Sequence, residues 1–237
     1  MEWREKLDMG TIDNSSIDSG WLDLTASDGH RLRGFEAKPR GTEKGRILVI
    51  QEIFGVNNHI RNVVQDYAAE GYRALAPALF DRAERDVELA YDDAGIQRGR
   101  GIIGKVSIDD ALKDVEAALK HLGGDGSAAI VGYCWGGTIA WAAASQLGVR
   151  AAIGYYGGGI ANRLDDTLHA PTLLHFGDQD HAIPLTVAED VRKRHPSTIV
   201  HIYPAGHGFN CNERGSYHAE SAALAKRRTL GLLQAVF

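Results

Sequence analysis

Cys134 stands in Gly132-Tyr133-Cys134-Trp135-Gly136-Gly137, between the apolar run Ala128-Ala129-Ile130-Val131 and the helix-forming Thr138-Ile139-Ala140-Trp141-Ala142-Ala143-Ala144. A strand that ends in G-x-C-x-G-G and turns at once into a helix has the form of a nucleophile elbow, with cysteine in the place commonly taken by serine. The residue types suit such a turn. Glycines let strand and helix approach closely, and a thiol at the tip can attack a carbonyl carbon as thiolate. The plain alternative is a packing role, because free cysteine behaves as a small hydrophobe. The glycines and the strand-to-helix switch favour the nucleophile, which then needs a base and an acid.

In α/β-hydrolases these follow the nucleophile in the order acid, then histidine. The predicted strand Thr172–Phe176 runs into Gly177-Asp178-Gln179-Asp180-His181, and Thr198–Tyr203 runs into Pro204-Ala205-Gly206-His207-Gly208-Phe209. His207 lies between glycines after the last strand and is the candidate base. His181 shares a loop with the acid and His201 lies inside a strand, so both are poorer candidates. Asp178 and Asp180 are equally placed by spacing. One oxyanion donor of this fold is the main-chain N–H after the nucleophile, here Trp135, and the other comes from a loop after an early strand. That loop is Gln51-Glu52-Ile53-Phe54-Gly55-Val56-Asn57-Asn58. Glu52 closes a buried strand and requires a partner there, since an unpaired buried charge is costly.

The elements that must hold these groups are legible from periodicity. Trp21–Thr25 alternates, Asp28-Gly29 marks a turn, and Leu32–Ala37 continues as a second strand, which predicts an antiparallel edge. From Arg46 onward, apolar strands alternate with helical patterns: Ile47–Gln51, Arg73–Ala76, Ala128–Val131, Ala151–Gly154, Thr172–Phe176 and Thr198–Tyr203. Helices are predicted near Val56–Glu70, Ile108–His121, Gly136–Leu147, Leu185–His195 and Ser216–Phe237. This is the signature of an α/β fold, a mostly parallel sheet with helices on both faces. The polar residues 1–18 read as a surface arm, and 19–237 as one domain. The less regular stretch from Phe80 to Val106 is expected to form loops or a cap at the pocket.

A net charge of −5 over 237 residues gives no basic footprint for nucleic acid or an anionic membrane. No apolar run reaches the ~20 residues that span a bilayer. The two cysteines, Cys134 and Cys211, and a polar N-terminus without a signal-type apolar core point to a cytoplasmic setting with both thiols unpaired. Without paired C-x-x-C spacing no structural zinc is expected, and no phosphate-binding glycine motif is present.

Gln51-Glu52-Ile53-Phe54-Gly55-Val56-Asn57, the Cys134 elbow, Gly154-Tyr155-Tyr156-Gly157, Gln179-Asp180-His181 and Ala205-Gly206-His207-Gly208-Phe209 together resemble the dienelactone hydrolases (carboxymethylenebutenolidases) from about Trp21 to Phe237. The resemblance implies an α/β-hydrolase fold and a triad of Cys134, Asp180 and His207. It implies that Glu52 pairs with the resting thiol, and that Ile53 and Trp135 give the oxyanion N–H groups. It further implies hydrolysis of a small lactone or activated ester through a thioester, without metal or organic cofactor. Two arginines hold the substrate carboxylate in that family. Arg82 matches the first, but Cys211, read as a pocket-lining hydrophobe in preference to a second redox-active thiol, stands where the second would fall, and Arg214 lies three residues on. The expected partner is a small lactone or ester, with or without a carboxylate, with the chain as a monomer or small homo-oligomer. The contrasting expectation is a binder of acidic metabolites or a thiol sensor without turnover.

Overall fold

The computed structural model describes residues 16–237. The expected N-terminal arm therefore falls mostly outside the described residues, and Ile17 and Asp18 already belong to the first strand. One eight-stranded sheet runs β1(Ile17–Thr25), β2(Arg31–Pro39), β4(Tyr72–Pro77), β3(Gly45–Ile50), β5(Ala129–Tyr133), β6(Ala152–Tyr155), β7(Thr172–Gly177) and β8(Ile199–Tyr203) in spatial order. β1 pairs with β2 and β2 with β4 antiparallel, and every pairing from β4 onward is parallel. The antiparallel edge turns where Asp28-Gly29 predicts it. Gly29 sits at φ 83, a left-handed conformation that glycine adopts without steric cost.

Alternate side chains of a strand point to opposite faces, and β3 shows what each face buries. Ile47 and Val49 join Ile60 and Val64 of α1(Asn58–Ala69) and Ala225 and Leu233 of α6(Ala219–Val236) in one core. Leu48 and Ile50 join Leu112 and Val115 of α3(Ile108–His121) and Ile139 and Ala143 of α4(Trp135–Gln146) in the other. The sheet is thus covered on both sides, and its central strand β5 is buried along its whole length, as suits a parallel strand between two helical layers. α5(Thr186–Arg194) links β7 to β8.

The stretch 80–106, expected as cap or loops, contains a helix, α2(Asp93–Ile103). Asp92 caps it, its side chain accepting the Gly95 N–H at 2.7 Å. Gly95 and Gly99 lie one turn apart on its buried face, and a Cβ on Gly99 would come within 2.0 Å of the Ile53 carbonyl oxygen. The glycine therefore lets α2 press directly on the loop after β3.

Candidate active site

The elbow is built as its sequence predicts. Cys134 follows β5 with φ 53 and ψ −115, a conformation in which few non-glycine residues are found, and α4 starts at the next residue. Such backbone costs on the order of 1–3 kcal/mol and persists only where its surroundings enforce it. Here a Cβ on Gly132 would lie 1.8 Å from the Gly136 oxygen, and one on Gly136 would lie 2.4 Å from the Ile50 oxygen. Only glycine at both places lets β3, β5 and α4 converge beneath the thiol. The Cys134 N–H donates to the Tyr155 carbonyl at 2.9 Å and fixes the turn to β6.

The loops after β7 and β8 bring the other two groups to it. His207 Nε2 lies 3.2 Å from Cys134 Sγ, and His207 Nδ1–H donates to Asp180 Oδ2 at 2.8 Å. The second oxygen of Asp180 accepts the main-chain N–H groups of Ala182, at 2.8 Å, and Ile183, at 3.1 Å. Asp180 is thereby saturated with donors and fixed, and it holds the imidazole with Nε2 toward the sulfur. Asp178, its equal by spacing, is exposed, and its main-chain N–H donates to the Tyr203 carbonyl. Burial alone would push the His207 imidazole down, but its hydrogen bonds to Asp180 and Cys134 outweigh that and push it up to about 10. The site favours a proton on His207 when negative charge sits on the sulfur. The ring of Tyr156, itself at φ 40, packs 5.1 Å from the imidazole.

Cys134 and His207 open on a cavity of ≈ 540 Å³ whose wall includes Ile53, Phe54, Trp135 and Arg214. Ile53 and Trp135 thus both line the cavity onto which the sulfur opens. Trp135 is the first residue of α4, where an N–H has no intrahelical acceptor. Among the described residues no acceptor takes the Ile53 N–H either.

Three expectations are corrected. Glu52 does not pair with the thiol: it is buried at the end of β3, and its Oε1 accepts Arg214 Nη1 at 3.3 Å while the sulfur faces His207. Arg82 does not reach the cavity. It ends a short 3-10 turn, Leu79–Arg82, where its Nε and Nη2 donate to both oxygens of the buried Asp114 at 2.8 and 2.9 Å. Its Nη1 donates to Asp28 at 2.9 Å, so the guanidinium is already held by two carboxylates. Cys211 does not line the cavity either. It is fully buried behind Glu52, where burial, reinforced by that carboxylate, pushes its thiol up to about 12. Both cysteines are free thiols, as expected. Arg214 does face the cavity, its guanidinium lying 5.6 Å from the centre of the Phe54 ring and 5.8 Å from that of Tyr91.

Sequence reasoning missed Arg100. It projects from α2 into the same cavity, is exposed, and has no ion-pair partner among the described residues. The available signal was the spacing of Gly95 and Gly99, small residues one helical turn apart, which marks a helix face packed closely on its neighbour.

A cysteine on a strained strand-to-helix turn, facing a histidine that an aspartate orients, on this sheet, defines the α/β-hydrolase class. The family model of the dienelactone hydrolase family matches residues 32–237, and the chain belongs to that family. It is 36% identical over 225 residues to a provisionally named carboxymethylenebutenolidase of Synechocystis sp., covering 86% of this chain and 92% of that protein. It is 30% identical over 223 residues to a carboxymethylenebutenolidase of Pseudomonas putida, covering 90% and 94%. The crystal structure of a provisionally assigned dienelactone hydrolase from Klebsiella pneumoniae superposes with a TM-score of 0.80 at 30% identity, covering 92% of this chain and 98% of that one.

Proposed function

We propose that this protein hydrolyses a small lactone or activated ester through a covalent thioester on Cys134. The observation that carries this reading is the unbroken chain Sγ···Nε2, Nδ1–H···Oδ2 at 3.2 and 2.8 Å, opening on a mostly apolar cavity. His207 takes the thiol proton, and the thiolate attacks the carbonyl carbon. Asp180 stabilises the imidazolium so formed, because its carboxylate is already oriented by two N–H donors. The oxyanion of the tetrahedral intermediate is received by the N–H groups of Ile53 and Trp135. Collapse expels the alkoxide or enolate, which takes the proton from His207 and leaves the imidazole neutral. Water activated by His207 then cleaves the thioester and restores the thiol. No step calls on a metal or organic cofactor.

The substrate is small and carries a carboxylate. Arg214 at the cavity wall and Arg100 at its mouth replace Arg82 as cationic groups facing it, and an arginine fork suits bidentate carboxylate recognition. Glu52 holds Arg214 from behind and sets its direction. The purified protein should turn over aryl esters and lactones steadily, with carboxylated substrates preferred. Cys134→Ala should abolish turnover while the circular dichroism spectrum stays unchanged. Full activity in that variant would refute the nucleophile, and equal use of neutral substrates would refute the carboxylate preference.

A further inference from the structure

Apart from the residues that line the cavity, a second set of reactive groups comes together. A carboxylate oxygen of Glu52, a ring nitrogen of His59 and the sulfur of Cys211 lie within 4.8 Å of one another, and all three residues are buried. Glu52 comes from the end of β3, His59 from the first turn of α1, and Cys211 from the segment after His207.

The hydrogen bonding of this set is incomplete. Among the described residues, Glu52 Oε2 and His59 Nε2 have no hydrogen-bond partner, and the ring of Tyr91 packs edge-on against His59 at 6.1 Å. A buried polar atom left unpaired costs about 1–3 kcal/mol, so two such atoms beside a thiol point to something that they share. The His59 ring is already turned for that role. Its Nδ1–H donates to Asn212 Oδ1 at 3.3 Å, which leaves the lone pair on Nε2, the arrangement that an outer-sphere carbonyl imposes on a metal-ligating histidine. Glu52 is held similarly, with Oε1 on Arg214 and Oε2 left over.

We propose that Glu52, His59 and Cys211 bind a zinc ion. One sulfur, one imidazole nitrogen and one carboxylate oxygen form a borderline-soft donor set, which selects zinc over calcium or magnesium. A tetrahedral zinc with bonds of ~2.0–2.3 Å spaces its ligands ~3.5 Å apart, so movements of about an ångström close the set around the ion. Binding displaces the Cys211 thiol proton to solvent, and with Arg214 still on Glu52 the thiolate and carboxylate leave the site one net positive charge. No electron is transferred. The fourth position faces the Tyr91 hydroxyl or water. The ion would tie the loop after β3 to the segment that carries His207 and Arg214.

The test is calorimetric titration of zinc chloride into the full chain carrying Cys134→Ala, which removes the other thiol as a competing ligand. One equivalent should bind, with proton release visible as a dependence of the heat on the buffer's ionisation enthalpy. In the same background, Cys211→Ser and His59→Ala should each weaken binding by more than ~10-fold, since even loss of an outer-sphere partner costs that much. Cobalt(II) added to the Cys134→Ala protein should give a thiolate-to-metal charge-transfer absorption, and this decides the matter even where a cluster variant folds poorly. Absence of that absorption, no zinc binding, or unchanged affinity in Cys211→Ser would overturn the proposal. Because the Cys134 thiol is absent throughout, failure here leaves the esterase reading untouched.

Discussion

Two arginine–carboxylate pairs in this molecule look alike in sequence and differ in what they leave over. Arg82 meets both oxygens of Asp114 and an oxygen of Asp28, and only 12% of its side chain is exposed. Arg214 makes one contact of 3.3 Å to Glu52 and lines the cavity. Both acids are buried, so each arginine is a counter-ion that removes the cost of an isolated buried charge. A saturated fork has nothing left with which to recognise a substrate, whereas an underused one does. The comparison explains how a position that matches a family's substrate contact comes to hold a structural ion pair here.

The largest effect should come from breaking the saturated pair. Arg82→Ala leaves Asp114 buried without a partner and should destabilise the protein by about 3–5 kcal/mol in urea unfolding, while molecules that remain folded keep their kcat/KM. A loss of turnover without a loss of stability would erase the distinction between the two arginines. Arg214→Lys, which keeps the charge beside Glu52 but removes the fork, should leave the melting temperature nearly unchanged. It should lower kcat/KM for carboxylated esters by roughly 10- to 100-fold, the equivalent of one charge-assisted hydrogen bond, and spare neutral esters. Uniform loss on both substrate classes would make Arg214 a support for the site and not a substrate contact.

Histidine titration probes the same contrast between saturated and available groups. His207 is pushed up to about 10 in the folded protein from an ordinary value near 6.5. A group whose folded value is raised binds its proton more tightly when folded, so its stabilising effect is complete below about pH 6.5 and fades as pH rises through about 10. The stability difference between the wild type and His207→Gln, followed by thermal melts, should shrink across that window. Growth of the difference with pH would contradict the Asp180–His207–Cys134 arrangement. The smallest effect belongs to Arg100→Ala. An exposed cation is worth about 0.2–1 kcal/mol, so kcat/KM for carboxylated substrates should fall by only a few fold, and less at high salt.

The elbow and the loops that carry Asp180 and His207 were legible because their positions follow from strand order, and strand order follows from apolar periodicity. Asp178 and Asp180 could not be separated by that means, since both end the same strand. What separates them is that the Ala182 and Ile183 N–H groups turn back onto Asp180. Arg82 was misjudged for a related reason. Its partners Asp28 and Asp114 lie 54 and 32 residues away, and no local pattern announces that they converge on it. The helix at 93–103 was obscured by its own glycines, which lower helix propensity while permitting the close contact with Ile53. The Glu52–His59–Cys211 cluster was equally hidden, because its members come from three separated segments.

The central claim is that the Cys134 sulfur carries the acyl group. The most direct measurement is intact-protein mass spectrometry after rapid acid quenching of the enzyme with an activated aryl ester. The account predicts one acyl equivalent, lost on hydroxylamine treatment, mapping to the peptide that contains Cys134 and absent from Cys134→Ala. Acylation elsewhere in the chain, or undiminished ester turnover by Cys134→Ala, would contradict it.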